Sequence, residues 1–253
     1  MVDHCSLRGP LSPGGRRACP RLALAAFLVA GCSGAPEQSV ISQFFEASRL
    51  RDTTALANMA TVIFEPREQG TVTAFTIQSV GLEQRRPIGI KALSKAQDDA
   101  RSDDATFTKR KEDYQNANLE AIQRVLKSER GDGKLAGKDA EVQATWTKFR
   151  EESALVSKKV ADSRQSLRAE TKLVDVSINA GRRSLDVTKA DGEIATKDVT
   201  VTADVQQPNG QAAQKTIVIT LQKATLKGDR ETEGRWVVTG FKDGSGSPAT
   251  PRS

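Results

Sequence analysis

The chain has 253 residues, of which 28% are charged and only 4% aromatic, and its formal net charge is +6. Its lysines and arginines are interleaved with acids and accompanied by few aromatic rings, a composition that argues against a nucleic-acid partner. One histidine and three cysteines leave little material for histidine or thiolate chemistry.

In chain order, Arg16, Arg17 and Arg21 lead into an apolar run, Leu22 to Ala30, that closes in Leu28-Val29-Ala30-Gly31-Cys32. Positive, apolar and then small residues are the order of a secretory signal. Nine apolar residues are too few to span a bilayer, which takes about 20. The last four residues of the stretch resemble the lipobox of bacterial lipoproteins. The resemblance implies cleavage before Cys32, a diacylglyceryl thioether on its sulfur and an acylated amino terminus; stable anchoring takes two chains rather than one, and a lipoprotein supplies two or three. With Ser33 rather than aspartate following, it also implies the outer membrane, facing the periplasm, as the destination. The alternatives are a soluble secreted product cleaved after Ala30-Gly31, or a buried apolar helix near the terminus.

Residues 1–31 carry Arg8, Arg16, Arg17 and Arg21 against Asp3, so their removal leaves a net charge of +3. His4, Cys5 and Cys19 leave with them, and the sulfur of Cys32 is then occupied by lipid. That excludes a His-Cys zinc site, a cysteine nucleophile and a histidine general base, and with no disulfide the fold must be held by packing. No cofactor and no metal are expected.

Residues 32–38 read as a tether. Val40-Ile41, Phe44-Phe45 and Ala47 recur at helical spacing behind Ser39 as N-cap. Asp52-Thr53-Thr54 reads as a second cap, opening a short helix through Leu56 and Met59 toward Val62-Ile63, with Pro66 ending it. Thr73, Phe75 and Ile77 alternate in a strand running to Val80. From 91 to 170 the chain is charged and nearly free of proline and glycine, except at Gly131-Asp132-Gly133 through Gly137. This predicts two long helices, 91–129 and 138–170, joined by a tight turn. The second carries a heptad seam of Val142, Trp146, Phe149, Ser153, Val156, Val160, Ser163 and Leu167. The first repeats every seven residues at Leu93, Ala100, Phe107, Tyr114 and Ala121. Folding one on the other sets Val125 against Val142, Ala121 against Trp146, Tyr114 against Ser153, Phe107 against Val160 and Ala100 against Leu167. Asp103 then faces Arg164, and Arg110 and Lys111 fall near Val156. The candidate interaction residues are this seam: Phe107, Tyr114, Trp146, Phe149, Val156 and Val160.

From Leu173 the period becomes two. Val174, Val176 and Ile178 read as a strand, and Leu185 and Val187 as a short continuation. Val199, Val201, Ala203 and Val205 form a clear half-buried strand, Pro208-Asn209-Gly210 a turn, and Ile217, Ile219 and Leu221 the returning strand. Gly228-Asp229 turns into a last strand through Trp236 and Val238, or Val237 and Phe241 on the other face.

Phe44, Phe45, Leu50, Asp52 and Ala55 in two amino-terminal helices, with Gly234-Arg235-Trp236, Val238 and Phe241 in a closing hairpin, resemble the nuclear transport factor two-like superfamily. The resemblance covers roughly 38–90 and 171–243. It implies an α+β cone: a curved antiparallel sheet packed on N-terminal helices, here with a long antiparallel helical hairpin inserted. The resulting organisation is a signal peptide over 1–31, a tether over 32–38, the cone-like domain over 39–90 and 171–243, the coiled-coil hairpin over 91–170 and a disordered tail over 244–253.

Catalytic chemistry finds little support. Enzymes of that superfamily line the cone with a carboxylate or histidine base and tyrosine or aspartate donors. Here Tyr114, the only tyrosine, belongs to the hairpin, Asp175 and Asp204 lie opposite the apolar strand faces, and Glu46 and Glu65 have no partner pattern. Gly131 to Lys138 departs from a phosphate-binding loop in glycine spacing, and Asp139 stands where serine or threonine is needed. Asp98, Asp99, Asp103 and Asp104 splay around a helix rather than converge on calcium. Trp146 and Phe149 read first as core. The sequence therefore points to a non-enzymatic, lipid-anchored envelope protein whose partners are the membrane, through its N-terminal lipid, and an envelope protein met by the hairpin. A cone binding a small apolar ligand or lipid, with weak enzymatic activity, is the alternative.

Overall fold

The computed structural model describes residues 35–131, 135–179, 185–189, 191–228 and 230–244. The proposed signal, Cys32 and nearly all of the proposed disordered tail lie outside them. The fold is α+β, a curled antiparallel half-barrel with a long helix packed against it. Its spine is a hairpin of β3 (Asp191–Gln206) and β4 (Ala212–Lys227), paired from Asp191↔Lys227 to Gln206↔Ala212 with no slip. The turn is the expected one. Gly210 takes φ +84°, and the Asn209 carboxamide accepts the Gln211 N–H at 3.0 Å. β1 (Thr71–Val80) and β2 (Gln84–Pro87) pair with β3, while β5 (Thr232–Glu233) and β6 (Val237–Asp243) pair with β4.

Both faces of this hairpin are used. Val199, Val201, Ala203 and Val205 alternate with polar residues and sit beside Ile217, Ile219 and Leu221, all buried against α1 (Pro36–Leu50). Side chains of a strand alternate sides, so Ile194, an odd number of residues from Val199 in an unslipped register, faces the other way with its neighbour Ala224. There both meet Leu173, Val174 and Ile178 of α6 (Lys138–Asn179) in a second core. In the first core Phe45 is central. Its ring lies 5.5 Å from Phe64 and 5.6 Å from both Phe44 and Phe75, so α1 packs on the concave face.

Several expectations need correction. α1 starts at Pro36, a residue suited to a first turn because its missing N–H has no helical partner there, rather than behind Ser39. Residues 36–38 are thus helix, not tether. Asp52 does cap α2 (Thr53–Met59), accepting the Ala55 N–H at 2.9 Å, but that helix ends before Val62-Ile63, and Pro66 opens α3 (Pro66–Gln69) instead of closing a helix. The stretch from Leu173 to Ile178 is helix, not strand. Leu167, Glu170, Leu173-Val174 and Ser177-Ile178 also recur at helical steps, and burial on several sides lets a short apolar run imitate alternation. α6 therefore passes through 170/171 without a break. Leu185 to Val187 form no strand, although Val187 joins the second core.

Candidate interaction surface

At 1.5 Å per residue, α4 (Ile90–Ala117) is about 42 Å long and α6 about 63 Å. They run antiparallel: Asp103 pairs with Lys159 at 2.6 Å, and further along α4 Arg110 pairs with Glu152, further back on α6. Arg164 was the expected partner of Asp103, so the true register differs by more than one helical turn. The reason is at Asn118, whose φ of −125° and ψ of 23° end α4 and start α5 (Leu119–Glu129) in a new direction. Arg124 of α5 meets Asp139 at 2.8 Å and Glu129 meets Arg150 at 2.6 Å. Partner numbers on α6 now rise rather than fall, so α5 does not continue the antiparallel course. What the sequence presents as one helix is two, and the distal end is three-helical.

This end has its own core. Phe107, Ala121, Ile122, Val125, Val142, Trp146 and Phe149 are buried there, with Tyr114 and Val156 packed against them. Phe149 is the centre, its ring 5.1 Å from Tyr114, 6.1 Å from Phe107 and 6.4 Å from Trp146. Arg110 lies 5.6 Å from the Phe107 and Phe149 rings and lines one pocket with Val156, and Lys111 lies 5.6 Å from Trp146, which roofs the core with cations. Val160 is half-buried and outside this cluster. The seam residues are therefore brought together, except Val160, and they face inward; the surface they leave outward is charged. Leu155 and Leu119 are the exceptions, 69% and 48% exposed.

Where α4 leaves the sheet, Glu170 holds the helices together. Its carboxylate takes two bonds of 2.6 Å from the Arg86 guanidinium and one of 2.9 Å from the Gly89 N–H, at the N-terminus of α4. Burial alone raises this carboxyl, and the Arg86 fork with the Gly89 bond more than offsets it, leaving Glu170 below the ordinary glutamate range. The signal was present, since Glu170 stands three residues after Leu167 in phase with the seam.

A second buried pair lies at the start of α1. Lys197 donates to Glu37, and both side chains are 9% exposed. Lys197 Nζ also sits 3.8 Å from the centroid of Trp236, with Lys223 Nζ 5.0 Å from the same ring and bonded to Glu233. Burial raises the Glu37 carboxyl, but Lys197 and the helix backbone bring it below its ordinary value. Lys197 is two residues before Val199, in phase with the apolar face, which was the readable clue.

The carboxylates weighed as catalysts are dispersed. Asp175 is exposed and bonded to Asn179, Asp204 is exposed beside Gln214, Glu46 pairs with Arg49, and the Glu65 N–H donates to Gln69. Asp99 and Asp103 have separate lysine partners, Asp139 is taken by Arg124, and no metal-holding group of His, Cys, Asp or Glu occurs among the described residues. No described helix is long and apolar enough to cross a membrane. No protein-family model, curated protein or solved structure matches this chain.

Proposed function

We propose that this chain is a non-enzymatic lipoprotein of the bacterial cell envelope, anchored through Cys32 at the outer membrane, that presents its helical hairpin to an envelope protein as an interaction or scaffolding module. The observation that carries this reading is the separate core at the distal end of the hairpin. A helix pair of this length keeps its shape far from the sheet only if it packs on itself, and Phe107, Trp146 and Phe149 supply that packing. The charged exterior is then available for recognition while the sheet and α1 serve as a base. The packing of α1 on the concave face supports the same reading, because what it leaves there is an open pocket of about 320 Å³ between α1 and β1 rather than an enclosed cone cavity. Anchoring is supported by the order of basic, apolar and small residues before Cys32, and the first helix follows at Pro36, so little chain separates lipid from domain.

Mass spectrometry of the protein isolated from membranes tests the anchor. The expected product begins at Cys32 with diacylglyceryl and acyl mass added, and Cys32→Ala moves the protein to the soluble fraction. Retention of residues 1–31 or an unmodified thiol refutes it. The hairpin is tested by replacing 104–158 with a short glycine linker, which leaves the base and the Glu170 junction intact. Loss of an envelope partner captured by the full chain is expected.

A further inference from the structure

The shift in helix register leaves Arg164 without the partner that Asp103 would have supplied. Arg164, Arg168 and Lys172 stand four residues apart on α6, all exposed, and none has an ion-pair partner among the described residues. Like charges at this spacing oppose helix formation, yet the nearest acids are engaged elsewhere: Asp162 with Lys158, Glu170 with Arg86, Asp175 with Asn179, and Asp186, which shares a neighbouring pocket with Arg168 and Lys172, with Thr188. The three cations border an open groove of about 660 Å³ between α6 and the body, into which Thr61 and Thr239 also face; no carboxylate lines it, and Val62 gives it an apolar contact.

We propose that this groove binds an extended acidic segment of a partner polypeptide, with the three cations each taking a carboxylate. This deepens the interaction reading of the hairpin and rests on it, but not on the lipid anchor. Spacing supports an extended occupant. Four residues of α-helix rise about 6 Å, and alternate residues of an extended chain, whose side chains point the same way, are about 6.7 Å apart. A chain with an acid at every second position therefore places successive carboxylates opposite Arg164, Arg168 and Lys172. Guanidinium forks suit planar carboxylates. A concave groove receives a polypeptide better than it does a flat bilayer, and residues 245–253 carry no acidic side chain to alternate along it.

The test is fluorescence anisotropy with a labelled peptide of alternating glutamate and threonine, titrated with the full mature chain, beside the same peptide carrying glutamine. Expected are binding of the acidic peptide only, weakening as salt screens the charges, and an affinity loss of about tenfold or more for the triple variant Arg164→Gln, Arg168→Gln, Lys172→Gln. Glutamine keeps helix propensity and these side chains are exposed, so unchanged circular-dichroism melting confirms the fold; the single Arg168→Glu variant, expected to lose peptide affinity as well, serves if the triple variant does not fold. Equal binding of both peptides, or affinity indifferent to the substitutions, overturns the proposal. So does stripe-dependent sedimentation with phosphatidylglycerol vesicles in place of peptide binding, which would assign the stripe to a membrane. The variant lacking 104–158 keeps the groove and should bind the peptide normally, so failure here and failure of the distal hairpin as a recognition element are separable.

Discussion

Lys197 Nζ lies 3.8 Å from the centre of the Trp236 ring and donates to Glu37, so one buried cation joins the first turn of α1 to the central strand β3 and to the segment before β6. The arrangement meets both demands of a charge taken from water: a counter-ion and a polarisable face. It also fixes where the amino-terminal end of the domain sits on the sheet.

Because the pair is buried, removing one member should hurt more than removing both. Lys197→Met leaves Glu37 unpaired and is expected to cost about 3–5 kcal/mol, whereas Lys197→Met with Glu37→Leu should recover most of this or exceed the parent. Urea unfolding of the four proteins in a double-mutant cycle measures the coupling. Strict additivity would show that the two charges are independently solvated.

The Glu170 junction predicts a pH dependence. An unfolded glutamate titrates near pH 4.3, and the folded carboxyl lies lower because Arg86 and Gly89 favour its charged form. Its stabilising contribution is therefore complete above the unfolded value and is lost as pH falls through the folded one. Glu170→Gln should cost about 2 kcal/mol at neutral pH and give a shallower loss of stability below about pH 4 than the parent. Parallel acid limbs for the two proteins would remove Glu170 from the account.

Gly192 is required by close approach. At φ +156°, an added Cβ would stand 2.0 Å from the Thr225 carbonyl oxygen and 3.0 Å from Leu226 Cα, both backbone atoms of β4 that cannot turn aside. Gly192→Ala should destabilise by about 3 kcal/mol or more. Gly210, at φ +84° with open space around it, is the comparison: Gly210→Asn should cost about 1 kcal/mol or less. Thermal unfolding of both variants decides, and equal small shifts would mean that β3 and β4 separate freely at Gly192.

The sequence was legible where one physical signal acted alone. The β3–β4 hairpin followed from strict alternation around a Pro-Asn-Gly turn, and the Asp52 cap from its residue type. The seam of α6 was visible from steps of three and four. Reading failed where two signals competed. The run Leu173 to Ile178 satisfies both periods, and only packing on Ile194, Ala224 and Val237 selects the helix. Asn118 carries no proline or glycine mark, so the redirection of α5, and with it the register that leaves Arg164 unpaired, depends on tertiary contacts. The buried Glu37–Lys197 pair was not read at all: Glu37 falls in the stretch that reads as a tether, and the strand reads as beginning at Val199, although Lys197 keeps the phase of its apolar face.

The separate distal core implies separable unfolding. Phe149 touches the rings of Phe107, Tyr114 and Trp146, and its truncation to alanine removes contacts that no sheet residue shares, at a cost of about 3–5 kcal/mol. Contiguous cooperative units open independently when few contacts link them. In hydrogen exchange, Phe149→Ala should speed exchange across α5 and the adjoining turns of α4 and α6, while amides of β3 and β4 keep their protection. The last turns of α6 should stay with the sheet, because Leu173, Val174 and Ile178 belong to the second core. Uniform loss of protection, reaching Val199 and Ile219 as strongly as Val125, would mean that hairpin and sheet fold as one unit. The hairpin would then be part of the scaffold rather than an element presented by it.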